Sequence, residues 1–380
     1  MSRTARTLEI LERLIAFPTV SDQSNLELID WVEALLQQAG FETTRIWSPD
    51  RRKAGIFARI GPDVAGGVCL SAHTDVVPVA GQNWSRPDFA LTRDRDRVFG
   101  RGTTDMKGFL ASALAIAEDA GKRDLAVPLS LSISYDEEIG CVGMQQMMPT
   151  LQGLIGQPRL VIVGEPTGMQ VAVGHKGKTA LRVTCQGQAG HSALAPQFVN
   201  AIHVAAGFVQ KVRQLQETLA KGVRDAAYGV PYTTLHIGRI TGGQALNIVP
   251  DRAELEMEFR HIAGVAAASI RAEIDAAANR VCAGFEGARI NIEQINAYPG
   301  LDVDADGSAV DWACDLAGGT SPTKVAFGTE AGFFAALGLS AVVVGPGDMA
   351  RDGHQPDEGL DVSELVACDA MMDRVLAALT

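Results

Sequence analysis

Apolar positions along the chain follow two different rhythms. Short continuous apolar runs at 68–72, 129–135 and 160–163 alternate with helix-like stretches such as 106–119, the pattern of an α/β sheet. Between 179 and 297 the order changes. The spacing there predicts strand 179–186, helix 198–219, strand 234–240, strand 253–261, helix 265–285 and strand 288–295. A βαββαβ unit of this length reads as a separate ferredoxin-like domain. After Pro299-Gly300 the first rhythm returns, with helix 308–317, strand 340–344 and a closing helix 363–379 capped by Ser363. The expected organisation is one discontinuous α/β domain, 1–178 and 298–380, with a second domain inserted at 179–297.

Length and charge narrow the classes. A chain of 380 residues suits two domains. Lys and Arg number 33 against 45 Asp and Glu, a net charge of −12, so a phosphate backbone would be repelled and nucleic acid is not expected as a partner. The longest apolar stretches, such as 110–117 and 341–344, fall far short of the roughly 20 residues that span a bilayer, and no membrane is expected. Residues 1–20 show no basic head followed by an apolar run. Leu8, Leu11, Leu14 and Ile15 instead share one helical face, so no export signal is expected. Six cysteines, Cys69, Cys141, Cys185, Cys282, Cys314 and Cys368, lie far apart without a CxxC pair and mostly within apolar segments. They read as free packing thiols of a reducing compartment, and the cytoplasm is the expected location.

The ends of the apolar runs carry the chemistry. His73 and Asp75 follow 68–72, Glu137 and Glu138 follow 129–135, and Glu165 follows 160–163. Asp105 lies in the turn Gly100-Arg-Gly-Thr-Thr-Asp ahead of a helix, and His354 follows 340–344 across a Gly/Asp loop. In open α/β sheets the ligand crevice lies outside the carboxyl ends of the strands, so these groups are expected to converge. Two histidines with three or four carboxylates suit Zn²⁺, Co²⁺ or Mn²⁺ better than Ca²⁺ or a thiolate-preferring ion. The set exceeds the three protein ligands of one open catalytic zinc; two ions about 3.5–4 Å apart sharing a bridging carboxylate fit better. The His-x-Asp spacing lets Asp75 accept the second imidazole N–H of His73. Adjacent Glu137 and Glu138 point different ways from an extended chain, so one can bind metal while the other faces the attacking water. Gly100-x-Gly102-x-x-Asp105 is not read as a dinucleotide fingerprint, because aspartate replaces the third glycine. No motif surrounds His175, His203, His236 or His261, which read as core or surface histidines.

Five motifs together resemble one family. His73-Thr-Asp75-Val-Val-Pro, Gly100-Arg-Gly-Thr-Thr-Asp105-Met-Lys-Gly, Asp136-Glu137-Glu138-Ile-Gly, Gly164-Glu165-Pro-Thr and Gly353-His354-Gln-Pro-Asp-Glu run in order over essentially the whole chain. They are similar to those of the two-zinc amidohydrolases that include glutamate carboxypeptidase, succinyl-diaminopimelate desuccinylase, aminoacylase and acetylornithine deacetylase. The resemblance implies a discontinuous zinc-peptidase-like catalytic domain with an inserted ferredoxin-like dimerisation domain. It implies Asp105 as bridging ligand, His73 and Glu165 completing one metal, Glu138 and His354 the other, Glu137 as general base and Asp75 as the residue orienting His73. In the insertion, Gly190-His191-Ser192-Ala193, Asn247-Ile-Val-Pro250 and Phe259-Arg260 also match. They imply that His191 reaches the active site of a partner subunit, where it donates to the oxyanion, and that Asn247 and Arg260 hold a substrate carboxylate. A planar guanidinium suits that last task because it grips a carboxylate with two parallel bonds.

The stretch from Phe327 to Phe334, Phe-Gly-Thr-Glu-Ala-Gly-Phe-Phe, bears on the substrate. Here the chain resembles acetylornithine deacetylases; desuccinylases carry a Ser-Asp-Gly type sequence where this chain has Thr329-Glu330-Ala331. Thr329 and Glu330 are therefore expected in the substrate pocket, with Glu330 pairing the cationic δ-amino group of ornithine. The expected reaction is hydrolysis of N2-acetyl-L-ornithine to ornithine and acetate, in a homodimer with two divalent ions per chain, most simply Zn²⁺. Succinyl-diaminopimelate desuccinylase or a broader N-acyl-amino-acid deacylase is the alternative. A non-catalytic binding protein on the same fold would lack a ligand or the base, and here every such position is filled by a competent residue.

Overall fold

A computed structural model describes residues 3–21 and 23–380. Met1, Ser2 and Asp22 lie outside the described residues, and with them the first two positions of the expected leaderless N-terminus. The chain divides into two compact units, one of residues 1–174, 301–325 and 329–380, the other of residues 175–300 and 326–328.

In chain order the principal strands are β1 (Glu42–Trp47), β2 (Ala54–Ile60), β3 (Val68–His73), β4 (Leu129–Ser134), β5 (Leu160–Val163), β6 (Ala172–His175), β7 (Gly177–Gln186), β8 (Thr234–Gly242), β9 (Arg252–His261), β10 (Arg289–Tyr298), β11 (Leu301–Asp302), β12 (Thr323–Val325) and β13 (Ala341–Val343). The helices are α1 (Arg3–Ile15), α2 (Leu26–Gln38), α3 (Gly108–Ala120), α4 (Val142–Leu154), α5 (Ala201–Leu219), α6 (Ala267–Cys282), α7 (Ser308–Leu316), α8 (Ala331–Ala336) and α9 (Val362–Leu379).

The first unit is built on a mixed sheet in the order β1-β2-β4-β3-β5-β13-β6-β11, with β12 pairing β6. Its centre is parallel: β3 pairs β4 and β5, and β5 pairs β13, all in the same direction. Every residue of β3, β4 and β5 is buried, which is why their sequences run apolar without alternation. Helix α3 is buried from Gly108 to Ala117 and joins α1, α2 and α9 in one core with the sheet. A helix apolar on all sides can sit only in such an interior.

The second unit is a four-stranded antiparallel sheet in the order β8-β9-β7-β10. With α5 between β7 and β8 and α6 between β9 and β10, this is the ferredoxin-like βαββαβ arrangement. Residues on β7 and β9 alternate in burial, and their inward Leu181, Val183, Leu255, Met257 and Phe259 pack with Val204, Phe208 and Ile274 of the two helices. Asn200 starts α5, its Oδ1 accepting from the Ile202 N–H at 2.9 Å and the His203 N–H at 3.3 Å.

Two local expectations need correction. The closing helix begins at Val362 with Asp361, not Ser363, at its cap position. The Asp361 carboxylate is engaged by Arg97 and Arg351 instead of capping the helix, and the first N–H, that of Val362, donates to the Asp96 carbonyl at 2.8 Å. Helix α3 begins at Gly108 instead of Met106, because Asp105 and Met106 have non-helical backbone angles. Among the described residues no helix is long and apolar enough to cross a membrane.

Candidate active site

The carboxyl ends of β3, β4 and β5 lie side by side, and the predicted ligands follow from that register. Ser134 pairs with His73 across β3 and β4, and Val163 with Ser71 across β3 and β5. Gly164 turns the chain off β5 toward Glu165: a Cβ there would lie 2.0 Å from the Phe109 ring, so only glycine lets α3 pack this closely. The Asp105 turn arrives through Gly102, whose φ of 90° belongs to the left-handed region that favours glycine.

Asp105 stands between the two histidines. Its Oδ1 lies 3.2 Å from His73 Nε2, and its Oδ2 lies 3.2 Å from His354 Nε2. Glu165 Oε1 is 3.6 Å from His73 Nε2, and Glu138 Oε2 is 3.0 Å from His354 Nε2. One potential ligand atom each from His73, Asp105 and Glu138, and likewise from His73, Glu137 and Glu165, falls within 4.8 Å of the others. His73, Asp105 and Glu165 are at most 3% exposed, whereas the His354 ring is half-exposed.

The donor set fits divalent cations. Four acids, Asp105, Glu137, Glu138 and Glu165, cluster with two imidazoles, and Glu138 Oε1 is buried without a hydrogen-bond partner. Burial pushes the Glu138 carboxyl up to about 7, with Asp105 adding to the rise. It likewise lifts Glu137 and Glu165 well above the ordinary carboxylate range, Glu137 further through Glu138 and Glu330, Glu165 further through Asp105. Burial opposes ionisation of Asp105 too, but hydrogen bonds from His354 and His73 overcome it and hold this carboxyl below its ordinary value. Crowded buried acids of this kind need positive charge, which bound cations would provide.

The imidazole of His73 is oriented differently from the sequence expectation. Its Nδ1 lies 2.9 Å from the main-chain carbonyl of Asp75, and the Asp75 carboxylate stands farther off at 3.5 Å. That carboxylate instead accepts from Ser21 Oγ at 2.7 Å, the Glu137 N–H at 3.0 Å and the Glu138 N–H at 3.2 Å. Asp75 thus ties the loop after β3 to the backbone of both glutamates. The Cys141 thiol donates to Glu137 Oε1 at 3.2 Å, a contact no sequence motif indicated.

Thr329 and Glu330 open α8 in the same unit and both are buried. The Thr329 hydroxyl accepts from the Ala331 N–H at 3.1 Å, just ahead of the helix. Glu330 Oε1 accepts from Ser134 Oγ at 2.6 Å, and burial raises its carboxyl to about 7. In the second unit, a two-stranded ribbon pairs His191 with Ile248, and the Ser192 N–H donates to the Asn247 carbonyl at 3.1 Å. This brings His191 and Asn247, both exposed, to one place. Arg260 lies on β9 and donates from Nε to Glu258 Oε1 at 2.9 Å. Lys176 donates from Nζ to the Tyr232 carbonyl at 2.6 Å, and its ammonium pKa is lowered by burial and by the charge of Arg260.

Residues 69–378 match the model of peptidase family M20/M25/M40. An acetylornithine deacetylase of Myxococcus xanthus is 32% identical over 372 residues, covering 97% of this chain and 96% of that protein. One of Klebsiella pneumoniae (strain 342) is 33% identical over 362 residues, covering 93% and 92%. Among solved structures, aminopeptidase PepT of Bacillus cereus superposes with a TM-score of 0.78 at 19% identity, over 99% of this chain and 98% of that one. The Bacillus subtilis YXEP protein, a dinuclear metal-binding peptidase of family M20, gives 0.71 at 18% identity over the same shares. At these identities the structures speak for the fold, while the family match and the two full-length relatives carry the assignment: the chain belongs to peptidase family M20/M25/M40 and is a hydrolase of that family.

Proposed function

We propose that the protein hydrolyses N2-acetyl-L-ornithine to L-ornithine and acetate. The observation that carries the hydrolytic reading is Asp105, whose two oxygens face two different imidazoles beside a buried, unpartnered oxygen of Glu138. In this reading Asp105, with His73 and Glu165 on one side and Glu138 and His354 on the other, would hold two divalent ions. When bound, such ions supply Lewis acidity to the scissile carbonyl and lower the pKa of the attacking water. Glu137 takes the proton as water adds to the acyl carbon, and returns it to the departing amine nitrogen as the C–N bond breaks. Its carboxyl is suited to this by burial, which raises its pKa toward the working range. Asp75 holds the backbone of Glu137 and Glu138 in place.

Arg260 and Asn247 are proposed to bind the α-carboxylate and His191 to donate to the oxyanion in a neighbouring chain. Support for a homodimer comes from the inserted unit, where β8 and β10 are edge strands of their sheet. Choice of ornithine rests on the names of the two relatives and on Glu330. That buried carboxyl has a hydroxyl partner but no cation within ion-pair distance among the described residues, and a substrate ammonium would supply one.

The test is acetate or succinate release from N-acetylornithine, N-succinyl-diaminopimelate and N-acetylmethionine, before and after chelation. We expect chelator-sensitive turnover with N-acetylornithine preferred. Full activity in metal-free protein would overturn the metal reading, and preference for N-acetylmethionine would favour a broad N-acyl-amino-acid deacylase.

A further inference from the structure

His354 is held unlike the other proposed ligands. His73 is fully buried with its Nδ1 held at 2.9 Å by the Asp75 carbonyl, but the His354 ring is half-exposed and its backbone has a φ of 60°, a left-handed conformation that non-glycine residues seldom adopt. Something other than side-chain packing must keep this residue aimed at Asp105 and Glu138. The His354 carbonyl accepts a hydrogen bond from Gln82 Nε2 at 2.8 Å.

Gln82 is itself anchored. Its Oε1 accepts from Trp84 Nε1 at 3.1 Å and from Arg101 Nη2. Arg101 is 1% exposed, lies 5.0 Å over the Trp84 ring and donates to Glu358 Oε2 at 2.7 Å. Glu358, equally buried, accepts from the N–H groups of Gly102, Thr104 and Asp105 at 2.9–3.0 Å. One connected network therefore runs from the backbone of Asp105 through a buried ion pair to the backbone of His354. Its last link is a neutral amide that donates on one side and accepts on the other, and an amide carries both functions in one planar group.

We propose that Gln82 is a positioning residue for His354, and that through it the network fixes one of the two ion sites. The proposal rests on the metal reading above, with His354 a ligand. Outer residues that orient metal ligands typically govern affinity by about 10–100-fold. Gln82→Leu removes both functions. Gln82→Glu keeps the acceptor facing Arg101 and Trp84 but replaces the donor with an oxygen opposed to the His354 carbonyl. Neither variant alters a ligand side chain; Gln82→Leu also takes an acceptor from Arg101 Nη2 and Trp84 Nε1, whereas Gln82→Glu keeps it, so Gln82→Glu is the variant in which the fold should persist.

The experiment uses the full chain, stripped with chelator and titrated with Co²⁺, followed by calorimetry and by visible absorption of the bound ion. Wild-type protein should bind two ions. Both variants should bind the first with affinity within about threefold of wild type and the second about 10–100-fold more weakly, with unchanged melting of the metal-free Gln82→Glu chain. An unchanged second affinity in either variant overturns the proposal. Equal weakening of both ions together with lowered melting does so too, since it would indicate general loosening. Wild-type protein that binds fewer than two ions would instead overturn the two-metal reading, and this proposal with it.

Discussion

Glu330→Gln separates what this carboxyl does for stability from what it does for substrate choice. Burial raises Glu330 from an ordinary 4.5 to about 7. At about 1.4 kcal/mol per pH unit, the folded metal-free protein bears a penalty of roughly 3 kcal/mol for ionising it. The sign follows from the raised folded-state pKa: the stabilisation is complete below about 4.5 and is lost as pH rises through about 7. Glutamine keeps an oxygen to accept from Ser134 Oγ but cannot ionise. In chelator, then, the variant should gain stability over wild type between pH 5 and pH 8, by up to roughly 3 kcal/mol; thermal unfolding across that range measures it. Activity should move the other way. If Glu330 pairs the δ-ammonium, the variant loses roughly 1–3 kcal/mol in kcat/KM for N-acetylornithine, the worth of a charge-assisted hydrogen bond. N-acetylmethionine, with no ammonium to leave unpaired, should change little. Parallel pH-stability curves would refute the buried titration, and an unchanged ratio of the two substrates would refute the side-chain role.

The two adjacent glutamates should separate cleanly. Glu137→Gln should keep both ions and slow turnover by about 10²–10⁴, whereas Glu138→Gln should weaken one ion; metal analysis beside kcat checks this, and like behaviour of the two variants would refute the division of roles. Sedimentation should find two chains per particle, and a fully active monomer would remove the role given to the partner's His191.

The strand ends were readable because full burial leaves a plain signature: β3, β4 and β5 are apolar runs, and the first acids and imidazoles after them fall where the sheet ends. The insertion was readable because β7 and β9 alternate while α5 repeats every three to four residues. What could not be read was which atom of a residue would act. The His-x-Asp spacing suits a carboxylate behind the imidazole, yet the chain turns so that the Asp75 carbonyl takes that place at 2.9 Å. The hydrogen bond that the Thr329 hydroxyl accepts from the Ala331 N–H could not be read from the pocket motif either. Ser363 had the right chemistry for a cap but stands two residues past the cap position, which Asp361 occupies, with the Val362 N–H donating to the Asp96 carbonyl.

Long-range partners were the least readable of all. Gln82 sits in no motif, and its partner His354 is 272 residues away. Arg101 and Glu358 are members of two quoted motifs, yet their pairing has no local spacing to reveal it. These residues share a physical reason for being where they are. A site that gathers several buried acids is self-repelling, so the loops that carry them need fixed backbone partners before any cation arrives. Asp75 provides this for Glu137 and Glu138, and Glu358 for Asp105, each by accepting from main-chain N–H groups. Both are themselves carboxylates, which adds negative charge near the centre. Arg101 offsets Glu358 directly at 2.7 Å, while Asp75 faces Ser21 and the imidazole of His73, and the buried Lys107 ammonium interacts with both carboxylates. The loops of the site are thus supported asymmetrically: Asp75 holds the backbone of Glu137 and Glu138, whereas a buried ion pair holds the backbone of Asp105 and, relayed through Gln82, that of His354.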